Sequence, residues 1–167
     1  MKYILERKIN NYFIHRLRYK HTKGACKRRV KYYKKLLKKS GNNIIIKAGV
    51  IIKNPENLIL GNNISIQENC FFSCFGGLNI GNDVSFATGV NVFTTSHDYK
   101  NGIIRNNKLI LLPTKIGNNV WVGAGVKILG GVTVGYNVVL AAGAVVTKDC
   151  KPNCVYAGVP AKKIADV

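Results

Sequence analysis

An all-β fold, a parallel β-solenoid built from six-residue faces, is what this 167-residue sequence predicts. Three observations carry that expectation. The chain repeats with a period of six from about residue 59, an aliphatic side chain heads each hexad, and Gly, Asn and Ala fill the positions between. The hexads run LGNNIS, IQENCF, IGNDVS, FATGVN and VFTTSH, then resume as IGNNVW, VGAGVK, ILGGVT, VGYNVV, LAAGAV and VTKDCK. Their first residues are Leu60, Ile66, Ile80, Phe86, Val92, Ile116, Val122, Ile128, Val134, Leu140 and Val146. A second aliphatic residue often follows four places later, as at Val84, Val90, Val120, Val126, Val132 and Val138. Neither helical spacing nor strict alternation fits this pattern, and a fixed short period signals stacked repeats.

Each hexad reads as a short strand and a tight turn with its aliphatic side chain inward. Asn and Gly supply the positive φ that β-branched residues resist. Three such faces close an 18-residue coil, the spacing from Ile116 to Val134, and Ile80 to Ile116 is twice that. Leu60 to Ile80 is 20 residues, which places a two-residue insertion at Phe75-Gly76-Gly77-Leu78. With parallel strands about 4.8 Å apart, six or seven coils would stand roughly 30 Å tall. A β-sandwich with Gly-rich turns offers no reason for a six-residue register.

The remaining segments break the repeat. Lys and Arg number 26 against 7 Asp and Glu, a net charge of +19. Residues 1–40 hold 15 of those cations and one acid, Glu6, for a local +14, while the rest of the chain carries +5. Tyr3, Ile4, Ile9, Tyr12, Phe13, Leu17, Tyr32 and Leu36 recur there at helical intervals among the cations, with a division near Lys20–Lys23 and Gly24. The organisation is therefore a basic amphipathic helical segment over 1–41 and a solenoid over 42–165, ended by a short C-terminal helix. Residues 98–115 contain no hexad and should leave the prism as a loop, where rigid scaffolds tend to carry binding and catalysis. A hydrophobic content of 47% supports a core rather than disorder. No apolar run approaches the length of a membrane span, the N-terminus lacks a signal-peptide core, and five cysteines read as reduced thiols in a cytoplasmic protein.

The hexads, the segment Ile116 to Ala124, and the ending Val145-Val146-Thr147-Lys148-Asp149 through Ala157-Gly158-Val159-Pro160-Ala161-Lys162 resemble the hexapeptide-repeat acyltransferases, particularly the sugar O-acetyltransferases of the maltose, galactoside and surface-polysaccharide type. The resemblance covers about residues 42–165. It implies a left-handed parallel β-helix, a homotrimer with intersubunit active sites, and acetyl-CoA as acyl donor without a metal. The handedness comes from the resemblance alone, because parallel crossovers in general favour the right hand.

Acyl transfer from a thioester to a hydroxyl needs a base, and histidine both accepts and returns a proton near neutrality. Of His15, His21 and His97, only His97 lies at the exit from the solenoid into the loop. The resemblance implies that His97 is the catalytic base and that transfer is direct, through a ternary complex. Asp98 is a candidate to orient the imidazole, although adjacent residues of an extended strand point to opposite sides. Thr94, Thr95 and Ser96 read as hydrogen-bonding residues rather than nucleophiles. Trp121 should point outward and, by the resemblance, wall the pantetheine channel. Gly123, Ala124 and Ala142 would let the cofactor approach the backbone, with Lys148 and Lys162 as phosphate anchors. Asn91, Tyr99 and Arg105 are candidate acceptor contacts. Ala141 stands where related sequences usually have glycine, and Gly89 where they often have asparagine.

Cys70 and Cys74, and Cys150 and Cys154, share a C-x3-C spacing that can signal zinc. No histidine flanks them, and buried cysteine is a common small hydrophobe, so no metal site is expected. The expected function is O-acetylation of a sugar hydroxyl in surface-polysaccharide synthesis. N-acetylation of an amino sugar and serine or antibiotic acetylation are variants within the family. A basic solenoid that binds nucleic acid or membrane without catalysis would leave His97 and the C-terminal motif unexplained. For residues 1–40 two readings stand side by side: peripheral contact with an anionic membrane at its inner face, or a helix covering the open end of the prism. Nucleic acid is the less expected partner.

Overall fold

The computed structural model describes residues 16–98 and 108–167. Its body is a triangular parallel β-helix whose strands stack into three sheets. The first coil comprises β1 (Lys39–Ser40), β2 (Ile44–Ile46) and β3 (Ile51–Lys53), and the second β4 (Leu58–Leu60), β5 (Ile64–Ile66) and β6 (Phe71–Ser73). The third comprises β7 (Leu78–Ile80), β8 (Val84–Phe86) and β9 (Asn91–Val92). After a hairpin of β10 (Thr95–His97) and β11 (Leu109–Leu111), the fourth coil follows as β12 (Thr114–Ile116), β13 (Val120–Val122) and β14 (Lys127–Ile128). The fifth is β15 (Thr133–Val134), β16 (Val138–Leu140) and β17 (Val145–Val146), and β18 (Cys154–Ala157) begins a sixth turn. The first face is β1-β4-β7-β12-β15, the second β2-β5-β8-β13-β16-β18 closed by β19 (Lys162–Asp166), and the third β3-β6-β9-β14-β17.

Every hexad-leading aliphatic named above is buried, as are the six valines four places on. Most three-residue strands turn both end side chains inward, as Leu58 and Leu60, Ile64 and Ile66, and Val120 and Val122 show, so two per strand rather than the expected one fill the core. The turn between the first and second faces shows why the intervening residues read Gly-Asn-Asn. A Cβ on Gly41 would lie 2.6 Å from the Gly61 carbonyl oxygen, and one on Gly117 would lie 2.7 Å from that of Gly135. Backbones stack there too closely for a side chain. The next residue caps its neighbour, with Asn62 Oδ1 accepting from the Asn42 N–H at 2.9 Å and Asn82 Oδ1 from the Asn62 N–H at 2.8 Å. The third residue adopts positive φ at Asn43, Asn63, Asp83, Asn119 and Asn137. Those side chains form a ladder, Asn43 to Asn63 at 3.0 Å, Asn63 to Asp83 at 2.7 Å and Asn119 to Asn137 at 2.9 Å.

Three expectations are corrected. The 36-residue step from Ile80 to Ile116 is not two coils: Ile80 pairs directly with Ile116, so it is one coil carrying an excursion. Five complete coils result, not six or seven, and the chain is back in the prism by Thr114 and Lys115, which pair with Leu78 and Asn79. The two-residue insertion also occurs twice, because the first coil has its own 20-residue step, with a 3-10 turn at Pro55–Asn57. Finally, the C-terminal segment is a strand and not a helix. The chain reverses at Gly158, in positive φ, and β19 pairs antiparallel with β18. Five residues are too few for a stable isolated helix, whereas the free edge of β18 offers a ready ladder.

The basic segment covers the opposite end. Helix α1 (Lys23–Lys34) starts at Thr22, whose hydroxyl accepts from the Ala25 N–H at 3.2 Å. The break before it falls at residues 19–22, and Gly24 lies inside the helix. Ala25, Arg29 and Tyr33 share its buried face. Arg29 is 1% exposed and bonds only carbonyl oxygens, Leu17 at 2.7 Å, Lys20 at 2.8 Å and Ile46 at 3.0 Å. Two of those carbonyls end the helical turn at residues 16–18, where a cation is favourable, and the third lies on the open edge of the first coil. One guanidinium therefore joins both helical pieces to the solenoid. Burial raises the Tyr33 phenol above its ordinary range as it packs on the same core.

Two buried threonines fix the hairpin. Thr94 Oγ1 donates to the Ser73 carbonyl at 2.7 Å and accepts from the Gly76 N–H at 2.8 Å, while the Thr94 carbonyl accepts from the Leu112 N–H at 2.8 Å. Gly76 has no room for a Cβ beside that carbonyl. On the returning leg, Thr114 Oγ1 donates to the Phe93 carbonyl at 3.0 Å and accepts from the Gly131 N–H at 3.2 Å. Each hydroxyl thus ties one leg to a neighbouring coil.

Arg29→Ala should cost about 2–4 kcal/mol of stability, since three buried carbonyls lose a charged donor; chemical denaturation measures it. Thr94→Val should cost about 1–3 kcal/mol and accelerate amide exchange at Leu112 more than at core strands such as β13.

Candidate active site

His97 ends β10, opposite Leu109, and is exposed. Three residues separate it from Thr94, so it stands about 10 Å along the strand from the corner where the hairpin leaves. That corner lies between the third and first faces, since the chain exits after β9 and returns at β12. The ladder continues one residue further, with the Asp98 N–H donating to the Lys108 carbonyl at 3.1 Å. His97 and Asp98 are thereby consecutive positions of an extended strand, which face opposite sides of the hairpin. The orienting role considered for Asp98 gains no support from that alternation.

Trp121 is the middle residue of β13 on the second face, in register with Ser85 and Val139, and 59% exposed. It points outward, as its place between buried Val120 and Val122 requires. Gly123 follows at the corner between the second and third faces, where a Cβ would lie 2.6 Å from the Ala142 nitrogen. Ala124 and Ala142 stack in successive coils, joined by the Gly143 N–H to the Ala124 carbonyl at 2.8 Å. Gly125 and Gly143 beside them have positive φ and open space around the missing Cβ. Ala141 lies outside the positive-φ residues, so its methyl group is tolerated where a glycine was expected.

Lys162 opens β19 opposite Ala157, at the same corner one coil further on. Lys148 follows β17 at the corner between the third and first faces. Trp121, Gly123, Ala124, Ala142 and Lys162 thus gather along one edge of the prism, and Lys148 lies on another. Asn91 is half-buried on β9, and its amide donates to the Gly89 carbonyl at 2.8 Å, leaving its oxygen to accept. Tyr99 and Arg105 lie outside the described residues, as does His15.

In a triangular cross-section, the corner between the third and first faces lies opposite the second face. The hairpin carrying His97 and the wall carrying Trp121 therefore stand on opposite sides of one prism. Thr94, expected as a hydrogen-bonding residue, is a buried pin, and with Thr114 and Gly76, which the sequence reading did not single out for this role, it sets the position of His97. The only signal for them was the threonine at each end of the interruption.

Cysteine chemistry at this scaffold is quiet. Burial pushes the Cys70 thiol up to about 11 and those of Cys74 and Cys150 up to about 12. Cys70, Cys74, Cys150 and Cys154 are all buried. Among the described residues, no three or more His, Cys, Asp or Glu side chains converge as a metal set would require.

Residues 113–148 match the family profile described as bacterial transferase hexapeptide (six repeats). The chain is 33% identical over 144 residues to galactoside O-acetyltransferase of Escherichia coli (strain K12), spanning 86% of this chain and 71% of that protein. A solved galactoside acetyltransferase in complex with coenzyme A superimposes with a TM-score of 0.86 at 31% identity, over 96% of this chain and 80% of the other. A maltose O-acetyltransferase from Clostridium difficile 630 gives a TM-score of 0.81 at 27% identity, over 98% and 87%. These likenesses fit the left-handed winding expected for the coils. With the six-residue register, the stacked Gly-Asn-Asn corners and this breadth of similarity, the chain belongs to the hexapeptide-repeat acyltransferase family and is an acyltransferase.

Proposed function

We propose that the protein transfers an acetyl group from acetyl-CoA to a sugar hydroxyl, with His97 as general base and each site completed by a neighbouring subunit of a trimer. The observation that carries this reading is the place of His97. It is the single histidine in residues 39–167, held on a hairpin whose two legs are pinned by buried threonines. The coenzyme A complex of the galactoside relative supports the donor, and the names of the galactoside and maltose relatives support the acceptor class. Saccharides of a surface polysaccharide are the acceptor pool that the sequence resemblance favours.

The chemistry asked of the chain is modest. The acceptor oxygen bonds to the thioester carbonyl carbon as its proton passes to the His97 imidazole. Collapse of the tetrahedral adduct breaks the C–S bond, and the imidazolium returns the proton to the departing thiolate. Direct transfer suits this scaffold, because thiols with pKa values of about 11 to 12 are not poised as acyl-accepting thiolates near neutrality. The edge of small residues at Gly123, Ala124 and Ala142, beside Trp121 and Lys162, suits an extended donor lying along the prism. That edge and the hairpin stand at different corners of the prism, which supports a site completed by the hairpin of a second copy.

His97→Ala should lower kcat by about 10²–10⁴-fold while leaving acetyl-CoA affinity unchanged, as expected for loss of a general base. Thiol release measured across galactosides, maltose, nucleotide sugars and amino sugars checks both acceptor and base. Turnover retained in the variant would remove His97 from the mechanism, and a preference for amino sugars would turn the reading to N-acylation.

A further inference from the structure

The end of the solenoid away from β19 carries a surface that acyl transfer does not use. Residues 16–55 contain fourteen Lys and Arg and no Asp or Glu. Helix α1 turns Ala25, Arg29 and Tyr33 onto the first coil, so its opposite face looks away from the solenoid. Lys27, Arg28, Lys31 and Lys34 are exposed there, and Lys35 and Lys38 are exposed in the turn that follows the helix. The salt bridge Lys163–Asp166 lies at the other end of the molecule. Like charges spaced three and four apart on a helix destabilise it. The cost is borne because Arg29 anchors the helix through three carbonyl bonds, holding in place a cationic face that residues 16–55 supply with no acidic side chain.

We propose that this face docks the enzyme on an anionic lipid bilayer. The charges lie on the outer face of a helix laid over the end of a prism, a disposition that meets a plane. Five of these six exposed cations are lysines, strongly hydrated point charges suited to diffuse attraction by lipid headgroups, whereas base and phosphate recognition favours the planar fork of arginine. Tyr19, 67% exposed in the turn before α1, supplies an amphipathic ring of the kind found at membrane interfaces. Among the described residues of the basic segment it is the one exposed aromatic, whereas single-stranded nucleic acids are bound on successive stacking platforms. In the proposed trimer, if the prism axes run parallel, three such faces point the same way and act together. The docking itself rests on one chain's surface and not on the acyl-transfer reading.

Sedimentation of the full chain with phosphatidylglycerol vesicles tests the proposal, with pure phosphatidylcholine vesicles as reference. The protein should partition onto the first and not the second, and added salt should release it. Substituting Lys27, Lys31, Lys34 and Lys35 each by Gln should weaken partition by roughly several-hundred-fold, since each lysine near an anionic surface contributes about fivefold. Removing the same charge elsewhere, with Lys108, Lys115, Lys127 and Lys151 each changed to Gln, should leave it nearly unchanged. Equal binding of both quadruple variants, or no preference for the anionic vesicles, would overturn the proposal. So would an oligonucleotide that displaces the protein from the vesicles at the same ionic strength. None of these readouts depends on acetyl transfer, so docking and the assignment of His97 fail or stand separately.

Discussion

Everything in this molecule depends on the backbone being able to turn a corner directly on top of another corner. A coil only three strands wide leaves two or three residues at each vertex, and the next coil's vertex stacks upon them. Positive φ at Asn43, Asn63, Asp83, Asn119 and Asn137 makes the turn, and Gly41, Gly61, Gly81 and Gly117 allow the close approach. The side-chain oxygens of Asn62, Asn82 and Asn118 accept the N–H groups of Asn42, Asn62 and Asn82, which the turn would otherwise leave without partners. Inward aliphatics stabilise the prism, but they do so only because the corners close.

A scaffold of that regularity positions a site by its irregularities. The one long interruption follows β9, and it is held at both legs by threonines that reach into neighbouring coils. His97 inherits its place from those two hydroxyls. The small-residue edge from Gly123 to Ala142 inherits its openness from the stacking that excludes side chains there. At one end of the prism β19 pairs with β18 and becomes the sheet's edge strand, and at the other the Arg29-anchored helix lies over the first coil.

The body of the fold was legible because its period is local. Six-residue spacing declares each inward position, and all eleven hexad-leading residues are buried. Trp121 was legible as outward for the same reason. What escaped detection depended on pairing between distant residues. The 36-residue step from Ile80 to Ile116 equals two coils in length, and only the register of β7 with β12 shows it to be one coil and an excursion. The C-terminal strand depends on a free edge that exists only after β18 has formed. Arg29 looked like one cation among fifteen, because its partners are the carbonyls of Leu17, Lys20 and Ile46, which sequence does not advertise. His97 could be singled out by its place at the interruption and Thr94 as a hydrogen-bonding residue, whereas the second pin, Thr114, could not.

The central claim is that the hairpin of one subunit and the small-residue edge of another together make the active site. Co-assembly of two inactive variants tests it most directly: His97→Ala, which lacks the base, and Ala142→Trp, which fills the edge. Mixed trimers reconstituted from the two should regain acetyl transfer, because one interface in the assembly unites an intact His97 with an intact edge. Mixtures as inactive as either parent, with mixed assembly verified by mass, would contradict the claim and place the complete site within one chain.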